Sequence, residues 1–226
     1  MDIIFTQTTN EAELFPPVPA SKEVPSWYKE SKSYIGSKVP NLDNGTSATV
    51  KRCMPVFDAI TTGYIIKLPV DVYVSFKDDA PFYMWANGNM IDFHPVVQAE
   101  NHPAKNGYPY PKWINPWAIK TPPGYSTLFV QPFHRESVFT ILPGVVDTDT
   151  YTANINFPFV LNDPKWEGTI PAGTPIAQVI PFKRESWEMK MGGIEEMKEK
   201  SKVELLLNNK FFDRYKTLYR TPKEYK

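Results

Sequence analysis

At 226 residues the chain is long enough for one sizeable domain, or a domain with an appendage, whose core needs no disulfide or metal staple. Its 25 basic and 25 acidic residues cancel, so no bulk charge drives it toward nucleic acid or an anionic membrane, and neither is expected as a partner. The single cysteine, Cys53, excludes an internal disulfide and a cysteine-built zinc site, and in K-R-C-M-P it reads as a small apolar strand residue.

The opening M-D-I-I-F-T-Q-T-T-N carries no basic run, and no stretch approaches the roughly 18 apolar residues of a membrane span. A protein soluble inside a cell is the expectation. The 23 prolines stop helices and central strands, while aromatics at 14% suit pleated surfaces, so short strands joined by fixed, proline-rich loops are predicted.

In chain order, a strand is predicted over Asp2 to Thr6, then a loop F-P-P-V-P-A, then a short helix from Pro25 to Ser31 entered through Val24-Pro25. Residues 36–47 are polar and read as a loop. From Ala48 to Phe76 the text is strand-like, first T-V-K-R-C-M-P-V-F-D-A and then T-T-G-Y-I-I-K-L-P-V-D-V-Y-V-S-F, whose end alternates as a half-buried strand should. Further strands are expected at F-Y-M-W near Phe82, at M-I-D-F-H, and at V-V-Q-A near Val96. Glu100 to Trp117, with Pro103, Pro109, Pro111 and Pro116 among Tyr108, Tyr110, Trp113 and Trp117, should be mostly loop or edge. Rings of that area gain by burial, so this stretch folds back on the sheet or meets a partner.

Glu185 to Arg220 changes character. Only Gly192-Gly193 interrupts it, and Ile194, Met197, Val203, Leu206, Phe211, Tyr215 and Leu218 recur at helical spacing. A β-rich body over 1–184 followed by a helical tail over 185–226 is the expected organisation. The tail's apolar stripe calls for a surface to cover it, either the chain's own body or a neighbouring copy.

His94, His102 and His134, with Glu100, supply the nitrogen and carboxylate groups that iron, zinc or manganese sites use. Their spacing matches neither an H-x-H then Glu pattern nor an H-x-D then His pattern, so no metal site is assigned and the cofactor stays open. No G-x-x-x-x-G-K, G-x-S-x-G or C-x-x-C occurs.

The succession P-P-G-Y at Pro122 to Tyr125, G-V-V-D at Gly144 to Asp147, and G-T-P-I-A-Q at Gly173 to Gln178 resembles the turn frame of the dUTPase and dCTP deaminase family. In dUTPases a trimer binds deoxyuridine nucleotides in clefts between subunits, and a water activated by an aspartate attacks the phosphate chain. The resemblance implies a distorted barrel or β-clip and a homo-oligomer, a trimer by that analogy. It places the activating aspartate at Asp147, which makes Asp147 the catalytic candidate, and it places ligand-binding positions at Gln131, Arg135, Asp147 and Tyr151.

The same resemblance shows what is missing. After Thr61-Thr62-Gly63-Tyr64 the family aspartate is replaced by Ile65, which cannot serve as an oxygen ligand for Mg²⁺. The family arginines and serine that neutralise and bind phosphate fall on Gln131, Phe133 and His134, with only Arg135 nearby as a substitute cation. Tyr151 lies one residue later than the family's ribose-discriminating tyrosine, Thr174 replaces an aspartate, and the glycine-rich C-terminal arm is lacking.

A second resemblance rests on V-P-S-W-Y-K from Val24, K-R-C-M-P-V-F-D-A-I-T-T-G-Y-I-I-K-L-P-V-D-V-Y-V, W-A-I-K-T-P-P-G-Y-S and G-V-V-D-T-D. This set is similar to a family found in tailed bacteriophages and some bacteria, and it implies such a source, with a location in the host cytoplasm or the virion. It supplies no reaction. Three readings therefore stand: a non-catalytic binding or assembly protein of phage type with a phage or host protein partner, a nucleotide-binding or nucleotide-hydrolysing protein with a rebuilt site, and a metal-dependent jelly-roll enzyme using the three histidines.

Overall fold

A computed structural model describes residues 1–36, 48–77, 80–104, 107–208 and 215–226; the side chains of residues 99 and 206–208 are not part of that description. The loop expected at 36–47 therefore lies, apart from Gly36, outside the described residues. Two compact units emerge. One comprises Met1–Glu23, Thr62–Arg184 and Tyr225, and the other Val24–Thr61, Glu185–Glu224 and Lys226.

The first unit is built from short strands: β1 (Ile4–Gln7), β2 (Val18–Pro19), β3 (Tyr64–Lys67), β4 (Val72–Lys77), β5 (Ala80–Trp85), β6 (Ile91–His94) and β7 (Tyr110–Trp113), then β8 (Trp117–Lys120), β9 (Tyr125–Val130), β10 (Phe139–Ile141), β11 (Gly144–Val146), β12 (Phe157–Leu161), β13 (Gly168–Ile170) and β14 (Pro175–Lys183). They form sheets ordered β11-β9-β14-β3-β2, β10-β12-β7-β6, β13-β4-β5 and β1-β8, and none of these closes into a barrel. The fold is thus mainly β, with short strands and long connections, as the proline and aromatic content implied.

β14 is the spine of the five-stranded sheet, pairing antiparallel with β3 on one side and β9 on the other. Ile176, Ala177, Gln178 and Val179 along it are all buried, which is the continuous pattern of a strand covered on both faces. β4 instead alternates as its V-D-V-Y-V text predicts, with Val72 and Val74 buried and Tyr73 exposed.

The proline-rich aromatic stretch folds inward. Tyr110, Trp113 and Trp117 are buried, and Trp113 stacks on Phe159 at 4.2 Å between ring centroids while meeting Phe139 edge-on at 5.2 Å. Among the described residues, 100–117 are mostly loop, as expected, but β7 within them is an inner strand lying between β12 and β6. The proline is tolerated because β12 pairs only with Lys112 and Trp113, so Pro111 falls where β7 has a neighbour on one side alone.

The second unit contains α1 (Ser26–Glu30), α2 (Met54–Thr61) and α3 (Ile194–Asn208), with a π-helical turn at Tyr215–Tyr219. α2 corrects the strand expected over M-P-V-F-D-A. Pro55 sits in the first turn, where its missing N–H costs nothing, and the four-residue-spaced contact of Thr61 Oγ1 with Phe57 O at 2.9 Å closes the helix. Cys53 consequently precedes a helix and is exposed, where a buried strand residue was expected. Val96–Ala99, expected as a strand, is a 3₁₀ turn opened by Pro95.

α3 begins directly after Gly192-Gly193, whose Gly193 N–H donates to the Glu196 carboxylate at 2.8 Å, an acid well placed against a helix N-terminus. Trp187, Met189, Met191, Ile194, Met197 and Leu205 are exposed. Of the expected stripe, Phe211 and the side chain of Leu206 lie outside what is described. No helix among the described residues is long and apolar enough to cross a membrane.

Candidate functional site

Four glycine-bearing turns converge on the five-stranded sheet: Thr62-Gly63 before β3, Pro122 to Tyr125 before β9, Gly144 to Asp149 along and after β11, and Gly173-Thr174 before β14. Gly63, Gly124 and Gly173 all have positive φ, at 73°, 85° and 81°. At Gly63 the backbone approach is closest, since a Cβ there would stand 2.0 Å from the Val179 carbonyl oxygen.

The side chains of the Asp147-Thr148-Asp149 segment are tied to the P-P-G-Y turn and to the residues that flank it. Thr148 is fully buried, and its hydroxyl lies 2.8 Å from those of both Thr121 and Thr127. The Gly124 N–H and Arg184 Nη1 each donate to Asp149 at 2.8 Å, and Arg184 Nη2 donates to the second oxygen. The Arg184 guanidinium first, and then the Gly124 N–H, hold the Asp149 carboxyl at about 2, which makes it a weak base.

Asp147, the catalytic candidate, accepts from the Ser126 hydroxyl at 2.6 Å and pairs with Arg184 Nη1 at 3.2 Å through the same Oδ1. Its carbonyl accepts from the N–H groups of Thr150 and Tyr151, which completes an ordinary turn. Ile65, at the position where the resemblance expects a second carboxylate, is fully buried in β3 opposite Gln178 and Val18.

Gln131 and Arg135 lie beyond the opposite end of β9 from Asp147. Five residues separate Ser126 from Gln131, or about 16 Å of strand, so within one chain these candidates are not brought together with Asp147 and Tyr151. Gln131 Oε1 accepts from the Ile141 N–H at 3.0 Å. Arg135 donates to the Glu23 carbonyl, and burial pulls its guanidinium below its ordinary range against the opposing pull of Glu23. Gln178 of the I-A-Q triplet bridges Thr62 O at 2.6 Å and the Phe133 N–H at 3.0 Å, a structural role.

Tyr151 does line a cleft. With His94, Lys112, Val146, Asn154 and Asn156 it borders a space of about 430 Å³ beside β11. Lys112 is paired with Asp92 at 2.8 Å, and His94 Nδ1 lies 2.6 Å from Gln98 Oε1. The cleft offers a phenol, an imidazole, an ammonium and two amides, a set that can hold a polar ligand, but it presents no pair of carboxylates.

The histidines separate. His94 borders the cleft, His102 accepts from the Ala104 N–H at 3.1 Å, and His134 sits exposed in a turn at φ 54°. Among the described residues no group of three His, Cys, Asp or Glu side chains could hold a metal ion, so the three-histidine site has no geometric basis. The residue that sequence reasoning missed is Arg184, whose signal was a cation just past the end of a strand, V-I-P-F-K-R, with no spacing that linked it to Asp147 or Asp149.

No family model matches the chain, and no curated protein sequence matches it. Among solved structures it is similar to an EIAV dUTPase, at 14% identity and a TM-score of 0.34, over 59% of this chain and 84% of that one. It is also similar to the dUTPase of phage phi11 of S. aureus, at 16% identity and a TM-score of 0.31 over 58% and 82% of the two chains. A third is the dUTPase of Staphylococcus bacteriophage 80alpha, at 15% identity and a TM-score of 0.31 over 58% and 82%.

Proposed function

We propose that this chain is a non-catalytic binding protein of dUTPase-like type, holding a polar ligand in the cleft beside β11. One observation carries the reading: Asp147 and Asp149 are engaged by Ser126, Gly124 and Arg184 as a clasp between two turns, so neither of these two carboxylates stands ready to activate water. Buried Ile65 removes the partner acid that a Mg²⁺-phosphate site would need. The binding role belongs to the body over 1–184, and the tail over 185–226, whose Met197 and Leu205 are exposed, serves contacts with another copy in a homo-oligomer. A phage or bacterial source, with a location in the host cytoplasm or the virion, follows from the sequence resemblance.

The test is pyrophosphate release from dUTP with Mg²⁺. None above background is expected; release that disappears in Asp147→Asn would overturn the reading in favour of a hydrolase. A nucleotide ligand is the second reading, favoured by the Tyr151 ring and the Lys112 ammonium in one cleft. It requires dUMP or dUTP to raise the melting temperature of the wild type and not of Tyr151→Ala. Removal of residues after Ser201 should lower the mass seen by light scattering if the tail mediates self-association.

A further inference from the structure

Three of the polar side chains around the cleft beside β11 are held at one end, which fixes what the other end offers. Asn156 Oδ1 accepts from the Asn115 N–H at 3.3 Å, so its open end is the NH2 group, a donor. Asn154 Nδ2 donates to Thr8 Oγ1 at 3.2 Å and leaves its carbonyl oxygen as an acceptor. His94 Nδ1 lies 2.6 Å from Gln98 Oε1, an atom that can only accept. The imidazole hydrogen therefore sits on Nδ1, and Nε2 is a second acceptor. The Tyr151 hydroxyl has no partner among the described residues and can both donate and accept.

Charge in the cleft is balanced. Lys112 and Asp92 stand opposite one another on β7 and β6, with the ammonium 2.8 Å from the carboxylate. Among the described residues no other lysine or arginine lines the cleft. A phosphate carries acceptor oxygens, so it would set them against Asn154 Oδ1 and His94 Nε2 and meet a cation already offset. A hydroxyl donates and accepts at once, which suits a border that mixes donors with acceptors. Tyr151, 49% exposed, adds aromatic surface, and Val146 and Ile155 add aliphatic surface.

We propose that the cleft binds a neutral sugar ring, its hydroxyls on Asn154, Asn156 and His94 and its C–H face against Tyr151. The inference rests on the reading of this chain as a non-catalytic protein with a polar ligand in the same cleft, and it narrows that ligand to an uncharged polyol ring. A pyranose meets both demands of the lining, with hydroxyls around its rim and a patch of C–H groups on one face. The space of about 430 Å³ lies within the range of small-ligand sites.

Isothermal titration and saturation-transfer NMR of the full chain test this, with the methyl glycosides of glucose, galactose, mannose and N-acetylglucosamine beside dUMP and glycerol phosphate. At least one glycoside should bind more tightly than either phosphate compound. Tyr151→Ala should weaken that glycoside by about tenfold or more, with unchanged circular dichroism. Asp92→Asn, at an exposed position, uncovers Lys112 and should strengthen glycerol phosphate relative to the glycoside. Binding of no glycoside, or a glycoside held equally by Tyr151→Ala and wild type, would overturn the inference. Tighter binding of dUMP than of every glycoside would overturn the sugar while leaving the polar-ligand reading in place. Pyrophosphate release from dUTP would overturn the non-catalytic reading by a separate measurement.

Discussion

Arg184 grips Asp149 from 35 residues further along the chain, one guanidinium nitrogen to each carboxylate oxygen, and the same arginine reaches Asp147 at 3.2 Å. The pair closes the turn before β9 against the turn after β11, with the Arg184 N–H also donating to the Gly124 carbonyl at 2.8 Å.

This clasp makes stability depend on acid. Asp149 titrates at about 2 in the folded protein, below the ordinary aspartate value of about 3.9, so between these values the unfolded chain binds a proton that the folded one does not. The contribution is full above pH ~4 and is lost as pH falls toward 2. Arg184→Ala should therefore melt below wild type at neutral pH, with a gap that narrows through this acid window. A gap independent of pH would show that Arg184 acts only through its neutral contacts with Tyr125 and Ser126.

Thr148 is the buried centre of a hydroxyl triad with Thr121 and Thr127. Thr148→Val keeps the shape and strips both neighbours of a partner, at a cost of about 1–3 kcal/mol. Thr148→Ser should retain most of the wild-type stability in urea titrations, and equal midpoints for the two variants would show that the triad contributes nothing.

Gly63 and Gly124 share a positive φ but differ in space, which separates two causes of glycine dependence. Gly124→Ala has nothing within 4 Å of the added carbon and should lose about 1–2 kcal/mol for the left-handed backbone alone. Gly63→Ala must also displace the Val179 carbonyl, so it should lose more or fail to fold. Melting temperatures lowered equally would mean that β3 and β14 can part at no cost.

In the second unit, burial raises the Asp58 carboxyl, but hydrogen bonds from Arg220 and Lys223 outweigh it and hold the group below its ordinary range. Removing Arg220 deprives this buried carboxylate of a partner that grips it through two nitrogens while Lys223 stays at 3.0 Å, at a cost on the order of 1–3 kcal/mol. Arg220→Met should be strongly destabilising, and adding Asp58→Asn should recover part of the loss. Additive effects in that double-mutant cycle, read by chemical denaturation, would show that the residues do not interact.

What was legible in the sequence was what local chemistry dictates. Gly124 and Gly173 were readable as turn glycines because a proline-bearing turn and an apolar strand flank each, and both have the positive φ this requires. The alternation in β4 was readable for the same reason. α2 was not, because its stretch mixes β-branched and aromatic residues, and its polar member Asp58 is buried against partners 162 and 165 residues away. Arg184 was equally hidden, since a surface arginine and a clasp arginine look alike until the sheet brings β9, β11 and β14 together. The inward fold of Trp113 was half legible: ring area demanded burial, but only register shows that Pro111 escapes a second neighbour.

The interleaving of the two units has a consequence for the order in which the protein can be made. Thr62–Arg184 is an insertion within the unit that begins at Val24, so a ribosome finishes nearly all of the strand-rich unit before it releases the residues that neutralise Asp58. For that interval Asp58 on α2 lacks the Arg220 and Lys223 cations that grip it in the finished chain. The second unit is therefore completed by its last few residues, and a chain that stops short of Arg220 can hold a finished sheet while its second unit is unfinished.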